Sequence, residues 1–156
     1  MKPVVIRRSL GLALLLSAAG PAAAQTDFDC PPLPPGSGLQ WQKLSGEDFL
    51  SCKALDADGH QALGVMLSRR DPKLSLTRDH RAERGQIEEE KFYWYVPDLA
   101  GLENDNSNQR VASVDLGKKR YAQIWIDARD AADRQNLQAL AERLDLAGAR
   151  TQVAGN

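Results

Sequence analysis

Residues 49–70 have the sequence FLSCKALDADGHQALGVMLSRR, and this stretch predicts a β-hairpin. Asp58-Gly59 at its centre is typical of a two-residue type I′ turn, which needs positive φ at both positions. With these two residues at the tip, the predicted cross-strand pairs are Ala57 with His60, Leu55 with Ala62, Ala54 with Leu63, Cys52 with Val65, and Leu50 with Leu67.

One face of this predicted hairpin is entirely apolar. It carries Leu50, Cys52, Ala54, Leu63, Val65 and Leu67. The opposite face is mixed, and a shift of register by one residue would destroy the separation. The turn chemistry and the side-chain alternation therefore support the same pairing.

A metal site at the hairpin tip is the alternative interpretation, because Asp56, Asp58 and His60 cluster there. A calcium loop needs a third oxygen ligand before its glycine and a glutamate at its twelfth position, which here is Leu67. A zinc site needs three or four converging ligands. We therefore interpret the tip as a turn and expect no metal there.

Residues 110–127 predict a second hairpin, with its turn around Gly117-Lys118-Lys119. One face would carry Ala112, Val114, Leu116, Ala122, Ile124 and Ile126. Between the hairpins, the aromatic segment KFYWYV at residues 91–96 has the composition of a strand.

A C-terminal helix is predicted by an apolar stripe with i, i+3, i+4, i+7 spacing. The stripe consists of Leu137, Leu140, Ala141 and Leu144. Asp127 or Asp130 can cap the start of this helix, and Gly148 is a suitable end.

Together these elements predict an α+β fold. We expect a two-layer domain with a mainly antiparallel sheet of about five strands, built on hairpins near 48–69 and 110–127, and the helix packed on one face. The single domain is placed at residues 39–148, followed by a frayed tail at 149–156.

The start of the chain has the features of a signal peptide. Lys2, Arg7 and Arg8 precede the apolar residues 10–19, a run too short for a membrane span of about 20 residues. Ala22-Ala23-Ala24 supplies the small residues that signal peptidase needs, so we place cleavage after Ala24. The sequence predicts an exported protein, periplasmic or secreted, with no transmembrane segment in the mature chain.

The next residues, 25–38, are rich in proline and predict an extended N-terminal arm. In an oxidising compartment, Cys30 of this arm and Cys52 are expected to form a disulfide. The alternative is a buried free thiol at Cys52, with Cys30 in a mobile arm.

Charge and motifs exclude several functions. The whole chain has a formal net charge of −1. Removing the signal peptide, with three positive and no negative charges, leaves −4, so we expect no nucleic-acid partner. The sequence lacks GxSxG, HExxH, CxxC, GxGxxG and Walker patterns. We therefore assign no catalytic residue and expect no cofactor.

The aromatic run Phe92-Tyr93-Trp94-Tyr95 is the main functional lead. Because side chains alternate along a strand, one pair belongs to the core and the other can face solvent beside the second hairpin. Exposed aromatic groups next to polar ones are typical of recognition surfaces. The predicted binding residues are Tyr93, Trp94, Tyr95, Tyr121 and Trp125. The alternative is that the proline-rich arm or residues 70–88 cover this face.

These features favour an exported protein-binding or inhibitory module that docks an envelope protein and has no catalysis of its own. The alternative function is a hydrolase of cell-envelope polymers. Its candidate groups are Asp79, His80, Glu88 and Glu90. Carboxylate pairs catalyse glycosidic cleavage when they lie about 5–10 Å apart.

Overall fold

The computed structural model describes residues 29–98, 106–146 and 149. Within these residues the strands are β1 Gln40–Ser45, β2 Phe49–Leu55, β3 Gln61–Ser68, β4 Arg81–Ile87, β5 Glu90–Tyr95, β6 Gln109–Asp115 and β7 Tyr121–Asp127, and the helix is α1 Ala131–Ala141. The strands form one antiparallel sheet in the order β1-β2-β3-β7-β6-β5-β4. The α+β class is confirmed, but this sheet has seven strands instead of about five. The predicted signal peptide and residues 150–156 lie outside the described residues.

The additional strands are the two edges of the sheet, β1 and β4. β1, with the sequence QWQKLS, is exposed along nearly its whole length. β4, with the sequence RAERGQI, is charged, and a bulge between Arg81 and Arg84 interrupts its pairing. Neither strand has the apolar alternation by which a half-buried strand is recognised.

The first hairpin has the predicted core pairing and a different turn. Leu50 pairs with Leu67, Cys52 with Val65, and Ala54 with Leu63 as expected. At the tip, Leu55 pairs with Gln61 instead of Ala62.

The predicted type I′ turn is wrong. Such a turn needs a positive φ at both Asp58 and Gly59, whereas Gly59 has a φ of 81° and Asp58 keeps a negative φ. The Gly59 N–H donates to the Asp56 carbonyl at 3.0 Å. This geometry is that of a type I turn followed by a left-handed glycine, which creates a bulge and shifts the register.

The helix packs against β3 and β7, one strand of each hairpin, on the apolar side of the sheet. The six apolar residues predicted for the face of the first hairpin are 0–7% exposed. Asp130 is the N-cap of α1, and its side chain accepts a hydrogen bond from the Asp133 N–H at 2.8 Å. The helix ends at Ala141, well before the expected Gly148, although Leu144 beyond it is still buried.

The predicted disulfide between Cys30 and Cys52 is present and ties the described part of the arm to β2. The Trp41 indole N–H donates to the Pro31 carbonyl at 2.7 Å, which adds a second tether. Because Cys52 belongs to the core cluster, the arm covers the helix side of β1 and β2. Such a disulfide is compatible with an exported protein.

In the described part of the chain, no helix combines the length and the apolar character that a bilayer span requires.

Candidate recognition surface

The side of the sheet opposite α1 carries one continuous row of cross-strand neighbours that crosses every strand from β4 to β1. The row consists of Arg81, Tyr95, Val111, Trp125, Gly64, Lys53 and Gln42. Directly opposed residues in an antiparallel sheet point to the same side. We call the side that carries this row the open face.

Trp125 lies near the middle of the open face and is partly buried. Its cross-strand neighbour on β3 is Gly64, where an added Cβ would lie 3.2 Å from the Trp125 Cε3 atom. The indole therefore rests on the bare backbone of β3. Trp125 also forms a wall shared by two clefts, one towards Tyr95 and the other towards Lys53.

The connection from β3 to β4 covers part of the open face, as one of the sequence-based alternatives anticipated. It must pass from the third strand of the sheet to its edge, and residues 74–77 line the same cleft as Tyr95, Val111 and Trp125. Tyr95 and Trp125 nevertheless remain partly exposed. The connection therefore leaves part of the open face exposed.

Trp94 points to the other side of the sheet. It is 0% exposed, and its indole N–H donates to the Glu142 carboxylate at 3.0 Å. Its ring packs edge-on against Phe92, with the two ring centroids 5.2 Å apart. Gly85 on β4 permits this packing, since a Cβ there would lie 2.6 Å from the Phe92 ring. Trp94 is a core residue, and we exclude it from the candidate surface.

Tyr93 and Tyr95 are the pair of the aromatic run that lies on the open face. Tyr95 pairs with Arg81 and Tyr93 pairs with Arg84, across the bulge in β4. The Arg81 guanidinium carbon lies 3.9 Å from the centroid of the Tyr93 ring, which is a cation–π contact. Neither arginine is predicted from the sequence, because in a regular strand residues 81 and 84 would point to opposite sides.

Tyr121 lies on the same face as Trp125 but at the far end of β7. They are four positions apart, a distance of roughly 13 Å along a strand. Gln123, between them, is only 5% exposed. The structure therefore brings Tyr95 and Trp125 together in one cleft. Tyr93 lies on the same face of β5 as Tyr95 but lines a different cleft, and Tyr121 is peripheral.

A polar network anchors β4 and β6 beneath α1. Arg110 is 6% exposed and donates two hydrogen bonds of 2.7 Å to the two carboxylate oxygens of Glu83. Gln138 of α1 donates to the same carboxylate at 3.2 Å. The hydrogen bonds from Arg110 lower the pKa of Glu83, aided by the charge of Arg110 and by Gln138 and opposed by desolvation.

The acidic tip of the first hairpin is held by an arginine. The Arg129 guanidinium lies 2.5 Å from an Asp56 carboxylate oxygen and 2.8 Å from one of Asp58. Desolvation alone would raise the pKa of Asp56, but backbone hydrogen bonds from His60 and Asp58 and the charge of Arg129 lower it overall. The His60 ring lies 2.8 Å from the Asp127 carbonyl. The tip therefore links β2 and β3 to the loop that precedes α1.

Across residues 29–98 and 106–146, no group of three or more histidine, cysteine or carboxylate side chains is arranged to hold a metal ion.

The candidate hydrolase groups do not share one site. Asp79 and His80 precede β4, whereas Glu88 and Glu90 follow it or begin β5. β4 is seven residues long, which places its two ends roughly 20 Å apart. That separation exceeds the range in which paired carboxylates act on one glycosidic bond.

Comparison with known proteins adds no assignment: no protein-family model matches the chain, and no curated protein or solved structure is significantly similar to it.

Proposed function

We propose that this protein is an exported binding module, without catalysis of its own, that docks a protein partner on the open face of its sheet. The observation that carries the proposal is the position of Trp125. A partly exposed indole lies on the bare backbone at Gly64 and separates two clefts on the side of the sheet opposite α1.

The composition of the open face supports this role. Tyrosine, tryptophan and arginine are enriched at protein interfaces, where they supply large contact areas at a small cost in conformational entropy. Tyr93, Tyr95 and Trp125 occur here together with Arg81 and Arg84. The disulfide between the arm and β2 supports a location outside the reducing cytoplasm, where the partner would be an envelope or secreted protein.

The proposal is tested by cross-linked capture of partners from a native envelope extract, read by mass spectrometry. Wild-type protein is compared with Trp125→Ala and, independently, with Tyr95→Ala. The matched control is Trp41→Ala, which removes a partly buried tryptophan from the arm side of β1. Thermal unfolding of each variant establishes that it is folded before capture is measured.

We expect one saturable partner, and we expect Trp125→Ala to reduce its capture by about tenfold, as for an aromatic residue at the centre of an interface. Trp41→Ala should capture the partner normally. The proposal fails if the folded Trp125 and Tyr95 variants both capture the partner as wild type does, or if no saturable partner is recovered.

A further inference from the structure

β4 is an unpartnered edge of the sheet. Its inner side pairs with β5, and no strand of the described residues pairs with its outer side. An edge strand presents a row of backbone N–H and C=O groups to which an extended peptide can add as a further strand. β4 is also the strand that contributes arginines to the open face.

The bulge in β4 brings two cations onto that face. The pairs Arg81 with Tyr95 and Arg84 with Tyr93 are three residues apart on β4 and two apart on β5. The extra residue makes both arginines point to the side of the two tyrosines. Lys91 of β5 has the same orientation as Tyr93, because it lies two residues away on the same strand.

The arginines are held by the aromatic rings and not by carboxylates. The Arg81 guanidinium carbon lies 3.9 Å from the Tyr93 centroid and 5.8 Å from that of Tyr95, and the Arg84 carbon lies 5.8 Å from Tyr93. One Nη2–H of Arg81 also donates to the Tyr95 hydroxyl at 3.4 Å. A guanidinium held against a ring in this way keeps further N–H groups available to a planar anion such as a carboxylate.

Other arginines of the described residues show the contrast. Arg129 pairs with Asp56 and Asp58, Arg70 pairs with Asp48, and Arg110 pairs with Glu83. Within the described chain, neither Arg81 nor Arg84 lies within ion-pair distance of an acidic side chain. Arg81 and Arg84 thus place two cations on the open face, while the acidic residues 88–90 lie at the turn that joins β4 to β5 and at the start of β5.

We infer that β4 binds an acidic, extended segment of the partner protein, which adds to its outer edge and places carboxylates against Arg81 and Arg84. This inference rests on the proposed function and names the chemistry of the partner. Alternate residues of an added strand point to the same side, so a segment with acidic residues at every second position presents its carboxylates to the open face.

The test uses a fluorescent peptide of about eight residues in which glutamate alternates with threonine, and a control peptide with glutamine in place of glutamate. Binding to the purified protein is followed by fluorescence anisotropy at low and at moderate salt. The double variant R81Q/R84Q removes the proposed contacts. The matched control K118Q/K119Q removes two exposed charges from the turn between β6 and β7.

We expect saturable binding of the acidic peptide that weakens with salt, by about tenfold with R81Q/R84Q and little with K118Q/K119Q. Backbone amide resonances of β4 in the wild-type protein should shift when the acidic peptide is added. This measurement needs no variant and so does not depend on the folding of one.

Three results would overturn the inference: no saturable binding, equal losses for the two double variants, or binding of anionic phospholipid vesicles through these arginines without binding of the peptide. The envelope capture assay separates this inference from the proposed function. If R81Q/R84Q captures the envelope partner normally while Trp125→Ala does not, the partner has no acidic segment on β4, but it still docks on the open face.

Discussion

The indole of Trp125 on β7 lies directly against Gly64 on β3. A Cβ at position 64 would be 3.2 Å from the Trp125 ring and 3.1 Å from the Gln61 amide nitrogen. A side chain at this position would therefore press on both the indole and Gln61, which would have to shift by a few tenths of an ångström. A larger residue at position 64 is thus a way to move Trp125 without replacing it.

Gly64→Val should tilt the Trp125 ring and reduce partner capture, with a loss of about 1–2 kcal/mol in folding stability from overpacking. Urea unfolding measures the stability, and the capture assay measures binding. Ser113→Val, on the same face but two strands from Gly64, is the matched control. Normal capture by a folded Gly64→Val protein would show that the position of the indole does not matter.

Glu83→Gln should destabilise the protein by about 2 kcal/mol, because it leaves the guanidinium of Arg110 buried without an opposite charge. This loss of unfolding free energy should be smaller than for a fully buried ion pair, because the Glu83 side chain is 40% exposed. Urea unfolding provides the measurement.

Asp48→Asn is the matched control for Glu83→Gln. It breaks the pair with Arg70, in which both side chains are exposed, and should cost less than about 1 kcal/mol. Equal losses for the two variants would contradict the role given to the network beneath α1.

Acid should destabilise the protein through Glu83 and Asp56. Both have pKa values lowered in the folded state, so their contribution is complete above their unfolded pKa values of about 4.3 and 3.9. It is lost as the pH falls through the folded pKa values. The melting temperature should fall as the pH drops from about 5 to 3, and Glu83→Gln should flatten that fall. A melting temperature that stays constant or rises towards pH 3 would contradict a stabilising role for the two carboxylates.

The disulfide should contribute about 3 kcal/mol, because it closes a loop between residues 22 positions apart in the sequence. Urea unfolding of the wild type with and without reductant measures this contribution. The double variant Cys30→Ser/Cys52→Ala should match the reduced wild type and be insensitive to reductant. A loss below about 1 kcal/mol would mean that packing of the arm, including the bond from Trp41 to Pro31, is sufficient without the cross-link.

The core of the sheet was predictable because its inner strands alternate. Leu50, Cys52 and Ala54 on β2 face the core with their partners on β3, as the period of two requires. The hairpin tip was not predictable in detail, because Asp58-Gly59 fits both a type I′ turn and a type I turn with a left-handed glycine. Only tertiary geometry separates the two.

The candidate surface was predictable only in part. Alternation required one pair of the aromatic run to be buried, but the choice of Phe92 and Trp94 depends on space at Gly85 on the neighbouring strand. Arg81 and Arg84 both lie on the open face because of a bulge in β4, and no pattern in the sequence RAERGQI predicts that bulge. Arg81 and Trp125 are also far apart in the chain, so the sequence does not show that one row of cross-strand neighbours connects these two residues.

The three tryptophans provide the most direct test of docking on the open face, because each reports a different site. Trp41 contacts the arm, Trp94 lies in the core, and Trp125 lies on the open face. The measurement is a titration of isotope-labelled protein with the captured partner, following the three indole N–H resonances. If the partner docks on the open face, the Trp125 resonance shifts most and the Trp41 resonance stays in place. A shift at Trp41 with no change at Trp125 would place the partner on the other side of the sheet and contradict docking on the open face.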